Sequence, residues 1–395
     1  MGLPTVVDTS RLIKEGRKPR ILVMIPSGKV YQHDKVMIYD QVRDNYIAKY
    51  FNTGDMMVYD STLKLLDFRG LDVLTIANPT EDLVERYNRD FDYVFLRASN
   101  FIHEHMNWEK AVWVLDRLKI PVFALGVGAQ AEARRKIVLS DESKRVWQMI
   151  AERSTAIGVR GSFSAEVLND NGIKSAEVVG CPSLFRARNR DLKLRLKQPE
   201  HIKKVAFSLR RETSSYYAED MKLFVARQKS LLLRMHRALD VLVTIHGEPE
   251  EKAFFVNSGP AKQKAIEYFE NSGWFDELTR AEISDIYESR LFLNDRVEDY
   301  DNMIARQDFA IGYRVHGVLP ALAQGTPAAL VDYDTRSGEL AETFSIPHAK
   351  DKYFLDEPME KIFGASQFDA FHKNFSTNYD RFKNLMTRSG IPNRM

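Results

Sequence analysis

The chain has 395 residues, 44% of them hydrophobic and 28% charged, with a formal net charge of +2. A globular protein of two domains is expected, since this length exceeds one ordinary core, and so small a charge excludes a surface built to neutralise many nucleic-acid phosphates. No run approaches the roughly 18 to 20 apolar residues of a membrane helix, Met1 to Arg20 lacks the apolar stretch of a secretion signal, and Cys181 is the only cysteine, so a soluble protein of the reducing cytoplasm without disulfides is expected.

Short apolar runs alternate with amphipathic helical stretches from end to end, the rhythm of βαβ units around a parallel sheet. In the first half the strands expected are Ile21 to Ile25, Asp72 to Ile76, Tyr93 to Leu96, Val122 to Leu125, Ala156 to Val159 and Glu177 to Val179. Gly28-Lys29 follows the first strand as in a phosphate loop, but Val23 occupies the place of that loop's first glycine, so no such loop is expected. After Asn100, at the end of the strand Tyr93 to Leu96, comes His103-Glu104-His105. No third ligand is spaced with this run, so it reads as a cleft-lining loop able to touch ligand hydroxyls rather than as a metal site. Gly126-Val127-Gly128-Ala129-Gln130-Ala131 satisfies the G-x-G-x-x-G/A dinucleotide pattern after a strand. It lies far into the chain, and no strand ending in an acid follows about 20 residues on to hold a ribose, so a cleft-lining turn is the better reading. Ser162 is placed to cap a helix through Val167 and Leu168, and Gly172 to stop it.

Arg186 to Lys204 breaks the rhythm with many Lys and Arg, a Pro and few large apolar side chains besides alternating Leu. A solvated linker is expected there, with a basic patch for an anionic polymer or lipid headgroup as the alternative. The boundaries that follow are a first Rossmann-like domain over 1–185, a linker over 186–204, a second Rossmann-like domain over 205–345 and a helical extension over 346–395. In the second domain the elements expected are strands Val205 to Leu209, Val241 to Ile245, Leu291 to Leu293 and Phe309 to Ile311, with helices Asp220 to Leu239 and Glu298 to Arg306. His246-Gly247-Glu248 ends one of these strands, facing the same cleft or forming a turn. Phe371, Phe375, Tyr379 and Phe382, spaced by three and four, mark a packing helix.

The segment Phe309 to Asp332 parses as strand, tight loop, helix, turn and strand. Gly312 and Gly317 allow close backbone approach, Pro320 suits a first helical turn, and Gly325 ends the helix. Arg314 and His316 then sit at the carboxyl end of a strand facing a helix amino terminus, where open α/β sheets bind ligands and where free amides favour an anion. Arg314 supplies a planar fork for a carboxylate or phosphate, and His316 changes charge near neutrality. The alternative is local: Arg314 paired with a carboxylate and His316 capping the helix.

Arg314-Val315-His316-Gly317, followed by Ala321, Gly325, Pro327 and Tyr333, is similar to the carboxyl-terminal signature of the polysaccharide pyruvyl transferases. Gly158-Val159-Arg160-Gly161-Ser162-Phe163-Ser164 with Leu168 and Gly172, the turn Leu125 to Gln130, and Ser208-Leu209-Arg210 match the same family in the same order. Two places depart from its pattern: Gly161 stands where the family usually has Asp, and Gly180-Cys181-Pro182 replaces Asp-Pro-Ala. The resemblance implies two Rossmann-like doubly wound domains facing across a cleft, as in the GT-B glycosyltransferases. It also implies a phosphoenolpyruvate donor, a saccharide acceptor and no cofactor.

Carried over residue by residue, it points to Arg210, Arg314 and His316, and to Arg160, as the groups that hold and activate the donor. His316 is assigned one of the proton transfers and the arginines the donor's charge. Gly317, Gly126, Gly128, Asn100, His103 and His246 complete the expected binding residues. Cys181 falls at a strand end without a base positioned in sequence and is expected as a buried thiol. A nucleotide-sugar glycosyltransferase and a non-catalytic binder of sugar phosphate or polysaccharide stay open as alternatives. A lipid-linked acceptor would draw the chain to the inner membrane surface.

Overall fold

The computed structural model describes residues 18–24, 30–32, 35–37, 52–74, 76, 79–211, 218, 220–256, 259–294 and 296–395. Gly28-Lys29 lies outside the described residues. In the first half the strands are β1 (Arg20–Met24), β2 (Val30–Gln32), β3 (Lys35–Met37), β4 (Gly70–Leu74), β5 (Tyr93–Leu96), β6 (Val122–Val127), β7 (Ile157–Val159) and β8 (Ala176–Val178). Its helices are α1 (Thr53–Leu65), α2 (Glu81–Asp90), α3 (Glu109–Arg117), α4 (Asp141–Glu152) and α5 (Ser162–Asp170). The second half carries strands β9 (Lys204–Ser208), β10 (Asp240–Thr244), β11 (Leu291–Phe292), β12 (Phe309–Gly312), β13 (Ala328–Val331) and β14 (His348–Ala349). Its helices are α6 (Met221–Ala238), α7 (Pro249–Val256), α8 (Pro260–Asn271), α9 (Arg280–Ser289), α10 (Val297–Ile304), α11 (Val315–Ala323), α12 (Thr335–Phe344), α13 (Asp351–Asp356), α14 (Met359–Ile362) and α15 (Asp369–Arg388).

Two six-stranded sheets form the frame, in the orders β4-β1-β5-β6-β7-β8 and β11-β10-β9-β12-β13-β14, and every pairing in them is parallel. A separate antiparallel ribbon joins β2 and β3. Parallel strands are buried on both faces, which is why β1 is a continuous apolar run rather than an alternating one. Ile21 and Val23 enter one core cluster and Leu22 and Met24 the other. The two doubly wound, Rossmann-like domains expected from the sequence are present.

Strand order reverses direction between β1 and β5 in the first sheet and between β9 and β12 in the second. Ligands of open α/β sheets bind beyond the carboxyl ends of strands at such switch points. Arg97 to Asn100 follow β5, Leu209-Arg210 follow β9, and Tyr313-Arg314 follow β12. The topology thus delivers three short cationic segments to two facing edges.

The domains are also tied together. Arg186 is buried between Asp60 of α1 and Asp301 of α10, at 2.8 and 2.6 Å. Arg190 pairs with Asp380, Lys197 with Asp308, and Arg195 donates to the Gln324 carbonyl and to Thr326. Arg186 is thus buried between the domains, while Arg190, Arg195 and Lys197 stay exposed to solvent and pin the segment through these ion pairs and hydrogen bonds. Helix α15 returns to the first domain: Phe185 packs on Phe375, Tyr379 and Phe382, and the Arg394 amide donates to the Leu65 carbonyl at 2.8 Å.

Two helix details differ from the sequence reading. Ser162 is the first residue of α5 and does not cap it; Gly161 occupies the cap position, and Glu339 of α12 reaches across to accept from the Ser164 amide at 2.7 Å and hydroxyl at 2.9 Å. A side chain at 161 would collide with it, since a Cβ there would lie 2.3 Å from Glu339 Cγ. Pro320 lies inside α11, not in its first turn, so the His316 carbonyl has no helical amide four residues on. Gly172 and Gly325 do end their helices with positive φ, 88° and 78°.

Candidate functional site

A narrow cavity, partly open to solvent, lies where the two sheets' carboxyl edges face each other. Its first-domain wall is polar: Asn52, Gly54 and Asp55 from the start of α1, Ser99 and Asn100 from the segment after β5, and Arg160 from the end of β7. Its second-domain wall is cationic, with Arg210, Arg314 and Arg336, joined by His246, Val315 and His316.

The arginines differ in how their charge is met. Arg314 lies against the buried Glu248: its Nε donates to Oε1 at 3.0 Å and Nη2 donates to the same oxygen. Burial alone would raise the Glu248 carboxyl, but Arg314 and His246 hold it down at about 2. Arg336 sits 3.6 Å from Asp334 and donates to the Tyr333 hydroxyl at 2.8 Å. Arg160 is bound by neutral oxygens, its Nε donating to the Gly126 carbonyl at 3.1 Å and its Nη1 to Asn100. Burial pulls it down to about 10, so it stays charged at neutral pH. Arg210 has no carboxylate partner among the described residues; its guanidinium carbon stands 5.8 Å from the Tyr333 ring centre, and its buried Nε has no hydrogen-bond partner among them. Two buried cations with no contacting anion among the described residues are costly, by several kcal/mol each, unless an anion fills the cavity.

A relay crosses the cleft beside them. Arg160 donates to Asn100, Asn100 Nδ2 to Gln130, and Gln130 Nε2 to Asp334 at 2.7 Å, which leads to Arg336. It couples the first domain's buried arginine to the second domain's α12.

His316 stands at the α11 amino terminus, half-buried in the cavity, with Nε2 3.8 Å from Cys181 Sγ. Burial, and then the charges of Arg160, Arg336, His246 and Arg97, hold its pKa well below the ordinary histidine value. Its imidazole is neutral while the cavity is empty of anions. The Cys181 thiol is fully buried and pushed up by burial, which fits an inert thiol rather than a nucleophile. His246 is fully buried and neutral, lowered to about 3 by burial and Arg314. Its Nδ1 meets Thr53 Oγ1 at 2.9 Å and its carbonyl accepts the Thr53 amide at 3.1 Å, so it braces α1 against β10.

Of the residues named from the sequence, Arg160, Arg210, Arg314, His316, Asn100 and His246 come together in the cavity wall. Gly126, Gly128 and Gly317 act behind it by having no side chain. A Cβ at Gly128 would lie 2.6 Å from Arg160 Cδ, one at Gly317 2.0 Å from Ser208 Oγ, and one at Gly126 2.7 Å from Pro182. His103 does not line the cavity: its Nδ1 accepts the His105 amide at 3.2 Å, and Glu104 between them is held by Arg135. The local-pair alternative for Arg314 is realised through Glu248, without removing Arg314 from the wall. Sequence reading missed Asn52, Asp55 and Arg336. Asn52-x-Gly54-Asp55 opening a helix, with Asn52 Oδ1 accepting the Gly54 amide at 2.9 Å, is the signal that could have found the first two. No group of three or more His, Cys, Asp or Glu side chains placed to hold a metal occurs among the described residues, and none of the helices among them is long and apolar enough to cross a membrane.

The family model described as polysaccharide pyruvyl transferase matches residues 52–335. No curated protein matches in sequence. Among solved structures the chain is similar to a UDP-N-acetylglucosamine 2-epimerase, at 10% identity over 95% of this chain and 97% of that one, with TM-score 0.44. The UDP-GlcNAc 2-epimerase from Neisseria meningitidis bound to UDP-GlcNAc is 11% identical over 87% and 89% of the two chains, with TM-score 0.43. That from Methanocaldococcus jannaschii is 12% identical over 82% and 87%, with TM-score 0.40.

Proposed function

The chain belongs to the polysaccharide pyruvyl transferase family, and on that premise we propose that it moves pyruvate from phosphoenolpyruvate onto a pair of sugar hydroxyls as a ketal, during assembly of a cell-surface polysaccharide. The observation that carries this reading is the pair Arg160 and Arg210, buried at one cavity and contacted by no carboxylate among the described residues. Phosphoenolpyruvate places a carboxylate and a phosphate on one small skeleton, and fixed guanidinium forks suit both.

Ketal formation protonates the methylene carbon, adds one hydroxyl oxygen to C2, releases phosphate with the electron pair of its C–O bond, and closes the second hydroxyl oxygen onto C2. Of the two hydroxyl protons, one ends on the new methyl group and one leaves with phosphate. Arg160, Arg210 and Arg314 hold the donor and stabilise charge on the departing phosphate. His316 carries one of the proton transfers, a role typically worth ~100- to 10,000-fold in rate. Its low basicity in the empty cavity is reversed when the donor's negative charge offsets the arginines around it. No cofactor or metal enters the scheme.

The test is thermal stabilisation by phosphoenolpyruvate, compared with a panel of nucleotide sugars, together with acceptor-dependent phosphate release. Stabilisation by phosphoenolpyruvate that Arg210→Ala abolishes supports the reading. Stabilisation by a nucleotide sugar alone moves the assignment to glycosyl transfer, and no response to either leaves a non-catalytic binder.

A further inference from the structure

Asp55 is the one carboxylate among the described residues that line the cavity, alongside four arginines. It sits in the first turn of α1, 28% exposed, with Oδ1 3.8 Å from Arg97 Nη1. That separation is too long for a hydrogen bond, and Arg97 Nη1 instead donates to the Ala98 carbonyl at 3.3 Å. The neighbouring buried acids behave differently: Glu248 is fixed on Arg314, and Asp334 is fixed by Gln130 and the Ser337 amide. Among the described residues of the wall, Asp55 alone keeps a solvent-facing carboxylate. The helix start holds it in place, because Asn52 caps α1 and the Gly54 backbone packs against His316, with a Cβ at Gly54 falling 3.3 Å from His316 Cβ.

A carboxylate is the wrong group to hold an anionic donor, since it repels it. It is the right group for a diol, because its two oxygens accept from two hydroxyls at once and either can take a proton. We propose that Asp55 binds the two acceptor hydroxyls that the ketal bridges and is the base for the first addition, an inference that rests on the pyruvyl transfer reading above. One hydroxyl gives its proton to Asp55 as its oxygen bonds to C2, and the donor's methylene carbon takes a proton from His316. Phosphate leaves with the electron pair of its C–O bond and carries away the proton from Asp55. The second hydroxyl oxygen then closes on C2 and returns a proton to His316. The acceptor class that follows is a sugar with two free hydroxyls close enough to meet one carboxylate, entering from the α1 side of the cavity.

The experiment compares the wild-type chain with Asp55→Asn and Asp55→Ala, using phosphoenolpyruvate and p-nitrophenyl glycosides of galactose, glucose and N-acetylmannosamine. Phosphoenolpyruvate affinity is measured by titration calorimetry, and turnover as acceptor-dependent phosphate release over a range of pH. Both variants are expected to bind phosphoenolpyruvate as tightly as the wild type or more tightly. Turnover is expected to fall 100-fold or more. A tenfold or greater loss of phosphoenolpyruvate affinity in both variants would overturn the inference, because Asp55 would then be ordering the arginines through Arg97. Unchanged turnover would overturn it too. If the wild-type chain neither binds phosphoenolpyruvate nor releases phosphate, the pyruvyl transfer reading fails first and this inference with it.

Discussion

One carboxylate oxygen of Glu248 accepts from both Nε and Nη2 of Arg314, while the other takes the backbone amides of His246 and Gly247 at 2.8 and 3.0 Å. The turn after β10 thereby aims the arginine that follows β12. Breaking a buried pair leaves an uncompensated charge and costs about 3 to 5 kcal/mol. Glu248→Ala is expected to lower the thermal midpoint measurably, and Glu248→Gln, which keeps the acceptor oxygen, to lower it less. Differential scanning fluorimetry of the two variants checks the order.

Arg160 and Arg210 should report on the donor directly. A hydrogen bond to a charged group is worth about 1.5 to 3 kcal/mol, so Arg210→Ala is expected to weaken phosphoenolpyruvate binding by about 10- to 150-fold. Arg210→Lys keeps the charge and loses the fork, and should recover only part of this. Titration calorimetry with phosphoenolpyruvate distinguishes the two. Equal affinity in all three proteins would remove Arg210 from the donor site.

His316 should couple the donor to a proton. Its pKa is held down by burial and by Arg160, Arg336, His246 and Arg97. A bound anion offsets the arginines, so the pKa rises on binding and a proton is taken up. By linkage, affinity for phosphoenolpyruvate strengthens as pH falls toward the raised, donor-bound pKa of His316. Calorimetry in buffers of different ionisation heat should find this uptake in the wild type and not in His316→Asn. The same variant should lose ~100-fold or more in turnover.

Glu339 gives the stability profile its sign. Burial raises it from the ordinary 4.5 to about 7, against the lowering effect of its bonds from Ser164. The folded state therefore binds more protons than the unfolded state between these values, and stability falls as pH rises from 4.5 to about 7. The shift corresponds to about 3 kcal/mol for a fully buried group. Glu339→Gln keeps an acceptor for Ser164 and removes the titration, so its stability should be flatter across that window. Chemical denaturation at pH 5 and pH 7.5 measures the difference.

Much of this site was legible because its residues sit in segments with local markers. Phe309 to Asp332 announces strand, loop and helix by its glycines, and Arg314 and His316 fall where the topology puts a ligand. Arg160 and Arg210 likewise follow apolar runs that become β7 and β9. What escaped was decided by contacts remote in sequence. Glu339 replaces the missing cap of α5 from 175 residues away, and Arg336 reaches the cavity because the Asp334 capping box orients the start of α12. Pro320 was misplaced because the helix begins earlier than the proline suggests, and His103 because its loop turns back on His105. The family's usual Asp at 161 is absent, and Glu339 occupies the space that side chain would need.

The chain passes between the domains twice, once through segment 186–203 and again on its way into α15, which lies against Phe185. The two passages lie against each other, so the domains are tied at one place by two separate stretches of chain. Any opening of the cleft would have to break both the Asn100–Gln130–Asp334 relay and the Thr53–His246 contact, since each joins the two domains. A proteolytic nick in segment 186–203 would not free the halves, because the returning helix still ties them as a single particle.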